Sequence, residues 1–96
     1  MDWTYFVSEC GEFHGAGTFF KDIPNIQKAI KTFMMVREKS LLNGVPSIGI
    51  TFDDWEYDIL TGKNLNLDYI PAEVKDNKKF MQDMIVLSEY VNNQVA

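Results

Sequence analysis

The sequence predicts an α+β fold in which a small antiparallel sheet of three to four strands packs against two α-helices. Two segments repeat apolar residues at the three- and four-residue spacing of a helix, and the stretch between them alternates apolar and polar residues as strands do. Aromatic and β-branched residues near the start of the chain add a further strand. Because the strands are segregated from the helices along the chain, we expect the helices to cover one face of the sheet.

The first third of the chain predicts a strand, a turn and the start of a helix. Residues 3–8 (WTYFVS) are aromatic and β-branched, which favours a strand. Residues 9–22 contain three glycines and predict a turn, with a short strand at 18–20. Asp22 and Pro24 then predict a helix start. Asp22 is the expected N-cap, because its carboxylate can accept hydrogen bonds from free amides of the first turn.

Two stripes of apolar residues predict the helices. The first helix is expected over residues 23–40 and the second over residues 77–92, with Asp76 or Asn77 as the second N-cap. The first stripe consists of Ile26, Ala29, Ile30, Phe33 and Val36 or Arg37. The second consists of Phe80, Met84, Leu87 and Val91, with Met81 and Ile85 beside it. Methionine fills irregular gaps, so the helical methionines are assigned mainly to the core, with one of the adjacent Met34 and Met35 exposed.

Between the helices, alternating side chains predict a β-hairpin with one buried face. Its strands are residues 47–52 and 55–59, and its turn is 53–54. The side chains expected on the buried face are Ile48, Ile50, Phe52, Trp55, Tyr57 and Ile59. Residues 65–70 then form either a third short strand or a packed loop, which Pro71 ends.

Composition and charge indicate one soluble domain over residues 1–96, in the cytoplasm. The net charge of −5 and the pI of about 4.6 disfavour direct binding to nucleic acid, because an acidic surface repels phosphate, and favour a basic partner surface. The single cysteine excludes an internal disulfide. No stretch approaches the roughly 20 apolar residues of a membrane helix, so no membrane contact is expected. The oligomeric state is left open.

Cys10 and His14 form a C-x3-H pair that raises two alternatives to a pure binding function. Zinc usually takes four ligands, and this pair, with Glu9 and Glu12 beside it, offers only two good ones. A Cys–His nucleophile would need a group that orients the base and an oxyanion hole, and neither is visible in the sequence. We therefore expect no metal, no cofactor and no catalytic residue, and the protein is predicted not to be an enzyme.

The densest charge in the chain lies in the predicted hairpin. Four of the fourteen acidic residues fall within six positions, and a tryptophan lies among them. Side chains two residues apart on a strand share a face and lie about 6.5–7 Å apart, so these acids form a regular negative row. The row is either a solvated strand face or a surface that imitates phosphates and attracts a basic groove. The candidate partner-binding residues, called the acidic hairpin below, are Asp53, Asp54, Trp55, Glu56 and Asp58.

Three stretches together resemble a known family. They are Tyr5-Phe6-Val7-Ser8-Glu9-Cys10 with Glu12-Phe13-His14 and Gly17; Ser47-Ile48-Gly49-Ile50; and Tyr57-Asp58-Ile59-Leu60 with Gly62, Asn66-Leu67-Asp68 and Ile70. In this order they resemble the YodL-like and related large polyvalent protein-associated domains of phages and conjugative elements. The resemblance covers nearly the whole chain, but its motifs are mostly turn glycines and core aliphatics, which specify a fold better than an activity. One departure is Asp53-Asp54-Trp55-Glu56, where a short acidic-and-glycine turn is expected.

The resemblance implies a function in conflicts between mobile elements and their hosts. A short acidic protein of this type is similar to anti-defence proteins, which include anti-CRISPR and antirestriction inhibitors. The expected function is a non-enzymatic inhibitor that binds a host defence protein, such as a CRISPR effector nuclease, and blocks its nucleic-acid loading. The alternative is a protein-interaction module of mobile-element DNA-processing machinery. A third interpretation is a metal-binding or catalytic protein that uses Cys10 and His14.

Overall fold

An antiparallel sheet of five strands organises the chain in a computed structural model that describes residues 3–10, 17–39 and 45–95. The elements in chain order are β1 (Thr4–Cys10), β2 (Gly17–Ile23), α1 (Ile26–Lys39), β3 (Val45–Phe52), β4 (Trp55–Thr61), β5 (Asn64–Leu65), α2 (Ala72–Lys75) and α3 (Lys78–Val95). The predicted α+β class is confirmed. The sheet exceeds the predicted three to four strands, since the second strand is complete and β5 adds a short edge. The helix that the prediction lacks is the single turn α2.

The strands lie in the spatial order β2-β1-β3-β4-β5, so β1 and β3 form the centre of the sheet. Paired residues on neighbouring strands project to the same face, which aligns side chains in rows across the sheet. Two neighbouring rows face the helices. One consists of Tyr5, Ile50 and Tyr57, and the other of Val7, Ile48 and Leu60. All of these side chains are buried except Tyr57, which is half-buried against the core.

A β-bulge in β4 changes the alternation that the sequence predicts. Ile48 pairs with Leu60 whereas Gly49 pairs with Asp58, so Ile59 has no partner of its own on β3. Ile59 and Leu60 are both buried. The prediction that Trp55 lies on a buried face is wrong, because Trp55 is 68% exposed at the hairpin tip.

The first helix is capped by Asn25, three residues after the predicted N-cap. The Asn25 Oδ1 atom accepts a hydrogen bond from the Lys28 amide at 2.8 Å. Asp22 instead belongs to β2 and has a φ of 60°. It lies in a bulge, where β2 has one residue more than β1 between the pairs Tyr5–Ile23 and Val7–Phe20.

The N-cap of α3 is Asn77, one of the two predicted residues. Its Oδ1 atom accepts hydrogen bonds from the Lys79 amide at 2.8 Å and the Phe80 amide at 3.3 Å. The stripe prediction is confirmed for Phe80, Met84 and Leu87, which are buried. The assignment of the helical methionines mainly to the core is wrong, since three of them are exposed. The exposed apolar helix residues are Met34, Met35, Met81 and Ile85.

The helices cover one face of the sheet. α1 packs on β1, β2 and β3 and contacts α3, and its mid-stripe residue Phe33 is fully buried. The Phe33 ring meets the Tyr90 ring edge-on, and the Arg37 guanidinium donates a hydrogen bond to the Tyr90 hydroxyl at 3.1 Å. Among the helices that the structure describes, none combines the length and apolar character needed to cross a bilayer.

Candidate partner-binding surface

The acidic hairpin begins with a tight turn that only certain residues can form. Asp53 and Asp54 both have positive φ angles, 52° and 64°, which is the conformation of a type I′ turn. This turn matches the right-handed twist of the flanking strands, and aspartate tolerates the left-handed conformation better than most residues. Both side chains are exposed. The turn therefore places two carboxylates at the tip of the hairpin.

Glu56 and Asp58 continue the negative charge along β4. They pair with Thr51 and Gly49, which places both carboxylates on the sheet face opposite the helices. Both are exposed, and the only salt bridge among the described residues lies elsewhere, between Lys79 and Asp83. The acids of the hairpin thus have no cationic partner in the described part of the chain.

Trp55 lies on the opposite face of β4 from these two acids. It pairs with Phe52, directly after the turn. The candidate residues are therefore adjacent along the hairpin but occupy both of its faces: carboxylates lie at the tip and on the helix-free face, and the exposed indole lies on the other. A partner that contacts all five residues must enclose the hairpin from two sides.

A groove beside β4 was not anticipated from the sequence. It has a volume of about 500 Å³ and is lined by Glu56, Tyr57, Asp58, Ile59, Thr61, Asn66 and Tyr69. Tyr69 is 80% exposed, although the sequence places it in a short strand or a packed loop. In the sequence, the only sign of this exposed ring is an aromatic residue just before Ile70 and Pro71. A tyrosine buried in a core gives the same pattern.

The region of Cys10 and His14 is only partly described. Cys10 ends β1, whereas Glu12 and His14 lie outside the described residues. No group of three or more potential metal ligands occurs within residues 3–10, 17–39 and 45–95. Glu9 is unexpectedly buried, at 3% exposure, and its Oε2 atom has no hydrogen-bond partner among the residues that the structure describes. Because an unpaired buried carboxylate oxygen is costly, Glu9 is the least satisfied polar group that the structure describes.

A second buried carboxylate is fully paired and serves the fold. The Tyr5 hydroxyl donates a hydrogen bond to Asp83 Oδ2 at 2.6 Å, and Lys79 Nζ donates to Asp83 Oδ1 at 3.0 Å. Burial, followed by the hydrogen bond to Asp83, raises the pKa of Tyr5 far above its ordinary value. The phenol therefore stays protonated and ties β1 to α3.

Comparisons with protein-family models, curated proteins and solved structures find no significant match to this chain. The resemblance to YodL-like domains consequently remains an expectation from the sequence.

Proposed function

We propose that the protein is a non-enzymatic anti-defence inhibitor that acts in the cytoplasm. It binds a host nucleic-acid-targeting nuclease, of the CRISPR effector type, and blocks the loading of nucleic acid. The observation that carries this proposal is the set of four exposed carboxylates on the acidic hairpin, which have no cationic partner among the described residues. A nuclease groove that binds phosphates is basic, and it attracts such a surface.

The negative charge of the acidic hairpin favours competition with nucleic acid for a basic groove. Glu56 and Asp58 are two residues apart on β4, so their carboxylates lie about 6.5–7 Å apart along the strand. The hairpin therefore presents closely spaced negative charge to such a groove. Long-range attraction accelerates its association with a basic groove, and contacts of the exposed Trp55 ring add binding energy at short range.

The position of the hairpin in the sheet favours a preorganised surface. β3 pairs with β1 from Val45 to Thr51, and β4 pairs with β3 from Trp55 to Thr61. Backbone that is already fixed in the free protein loses less conformational entropy on binding. A rigid display of charge suits an inhibitor that must compete with nucleic acid for one groove.

A protein-interaction module of mobile-element DNA-processing machinery is the second candidate. The exposed apolar residues on the helices favour it, because such side chains are common where proteins bind other proteins. They are Met34, Met35, Met81 and Ile85. A partner that binds through these residues would be insensitive to the charge of the acidic hairpin.

An order-of-addition experiment tests the proposal. The purified protein is mixed with each of a panel of effector nucleases before or after guide or target nucleic acid is added, and loading is followed by fluorescence anisotropy. We expect one nuclease to lose loading when the inhibitor is added first and to be much less affected when nucleic acid is already bound. Equal inhibition in both orders, or no binding to any nuclease, would contradict a block of loading.

A further inference from the structure

The sheet ends on one side in an edge that is only partly covered. β5 pairs with Leu60 and Thr61 of β4, and the Asn66 amide donates to the Ile59 carbonyl at 2.9 Å. Residues 55–58 have no further strand beside them in the described part of the chain. We call this segment the open β4 edge.

The hairpin register determines which backbone groups point outward from this edge. Phe52 and Trp55 flank a two-residue turn and form a hydrogen-bonded pair. From that pair onward, non-hydrogen-bonded and hydrogen-bonded pairs alternate along the two strands. Glu56 and Asp58 fall in the pairs that do not exchange hydrogen bonds with β3. Their N–H and C=O groups therefore point away from β3, at the spacing that a further strand requires.

The groove along the open β4 edge has room for such a strand. Its volume is about 500 Å³, and Asn66 and Tyr69 line it together with residues of β4. The Tyr69 ring is 80% exposed and offers an aromatic face to the stem or the charge of a basic side chain. An extended segment of four residues spans about 13 Å, which is short enough to lie beside residues 55–58.

Charge determines which strand can bind there. Glu56 and Asp58 lie at the edge itself, so pairing with a second copy of the same edge would bring carboxylates together and be unfavourable. A segment rich in lysine and arginine instead forms cross-strand pairs of opposite charge. The acids thus protect the edge against self-association while leaving it open to a basic strand.

We propose that the open β4 edge binds an extended, basic segment of a partner protein by strand addition. Backbone hydrogen bonds to Glu56 and Asp58 hold the segment, and their side chains select its charge. This inference rests on the proposed function, because the basic segment is taken to belong to the nucleic-acid groove of the nuclease. It adds to that function a defined binding mode, in which part of the target continues the sheet.

A synthetic peptide of eight residues, alternating arginine and valine, is the probe. Two versions carry N-methyl groups on alternate residues, one on the arginines and one on the valines. The two have equal charge and composition, but only one lacks the amide protons that face β4. Binding of all three peptides is measured by calorimetry, and amide exchange of Glu56 and Asp58 is followed by NMR.

We expect one methylated peptide to bind about tenfold or more weakly than the parent and the other to bind within about twofold of it. The Glu56 and Asp58 amides should gain protection from exchange in the parent complex. Equal affinity of the two methylated peptides, protection at another strand, or no binding of the parent peptide would each overturn the inference.

A variant separates this result from the proposed function. Glu56→Pro removes both the outward N–H and the Glu56 carboxylate while leaving the bonds of β4 to β3 intact, since proline is tolerated on edge strands. If the wild-type protein binds the peptides with the expected N-methyl pattern but inhibits no nuclease, strand addition is supported and the proposed function is rejected. Full inhibition by a folded Glu56→Pro variant would support the function and reject strand addition.

Discussion

Tyr5 and Asp83 form the one hydrogen bond between side chains that joins β1 to α3 in the described residues. Asp83 is 3% exposed, and within residues 3–10, 17–39 and 45–95 its Oδ2 atom accepts only from the Tyr5 hydroxyl, at 2.6 Å. Tyr5→Phe removes the donor and leaves a buried carboxylate oxygen unpaired, which we expect to lower the free energy of unfolding by about 1–3 kcal/mol. Urea denaturation measures this change. Tyr69→Phe, at an exposed ring, is the control, and equal stability of both variants would contradict the role of the bond.

The raised pKa of Tyr5 predicts a loss of stability at alkaline pH. Burial, followed by the bond to Asp83, raises the pKa of Tyr5 above its ordinary value of 10.0. Below pH 10 the phenol is protonated in both the folded and unfolded chains. The contribution of Tyr5 to the free energy of unfolding is therefore fully present below pH 10. It is lost as the pH rises further, because only the phenol of the unfolded chain ionises.

We expect the wild-type free energy of unfolding to fall, relative to that of Tyr5→Phe, by up to about 1.4 kcal/mol for each pH unit above 10. Denaturation curves at roughly pH 9, 10 and 11 measure the difference between the two proteins. A difference that does not change across this range would show that Tyr5 ionises as readily in the folded protein as in the unfolded chain.

At the scale of the elements, β3 depends on a close approach between Gly49 and the strands on either side. A Cβ atom at Gly49 would overlap the Phe6 ring and lie 2.6 Å from the Tyr57 carbonyl oxygen. The Phe6 ring in turn stacks on Phe19, with centroids 5.4 Å apart. The helix-free face of the sheet thus carries two stacked aromatic rings, and one of them, Phe6, lies against Gly49.

We expect Gly49→Ala to destabilise the protein by about 1–3 kcal/mol or more, because neither the ring nor the backbone carbonyl can move freely. Thr51→Ala, on the same face of the same strand, should have a much smaller effect. The double variant Gly49→Ala/Phe6→Ala should be less destabilised than the sum of its single variants, measured by thermal unfolding. Strict additivity would show that the ring and the new methyl group do not compete for space.

Element boundaries could be predicted from the sequence wherever the signal is local. Asn77 was predicted as one of two possible caps because capping depends on amides within one turn. Asp22 was misassigned because it lies in a bulge that exists only through pairing of β2 with β1, which no local pattern reports. The exposure of Met81 has a similar cause. How wide a helix stripe is buried depends on the neighbouring elements, and nothing covers that side of α3 among the described residues.

At the scale of the whole molecule, charge is distributed unevenly between the acidic hairpin and α1. Lys28, Lys31 and Lys39 are exposed on α1, whereas the hairpin carries only acids. The sequence predicted these acids and their turn, since both are local features. The groove beside β4 could not be predicted, because it exists only where β5 stops short and leaves an edge open. Which strand lies outermost is a property of the sheet order and not of any one segment.

This uneven charge predicts that nuclease binding depends on the acids of the hairpin. Replacing Asp53, Asp54, Glu56 and Asp58 by asparagine or glutamine should weaken nuclease binding by about tenfold or more, equivalent to about 1.4 kcal/mol. The shape is retained, because asparagine also accepts the positive φ angles of the turn. The loss should lie mainly in the association rate, measured by surface plasmon resonance, since long-range attraction guides the encounter.

The matched control neutralises four exposed acids elsewhere and so changes the net charge by the same amount. These are Glu38, Glu73, Asp76 and Glu89. We expect the control to bind within about threefold of wild type, because charge at the contact matters more than net charge. Wild-type affinity should also fall between about 0.1 and 0.5 M salt, as the Debye length shortens from about 10 Å to about 4 Å, and the hairpin variant should respond much less. If the hairpin variant and the control bind alike at every salt concentration, the acids are solvated surface and the contact lies elsewhere.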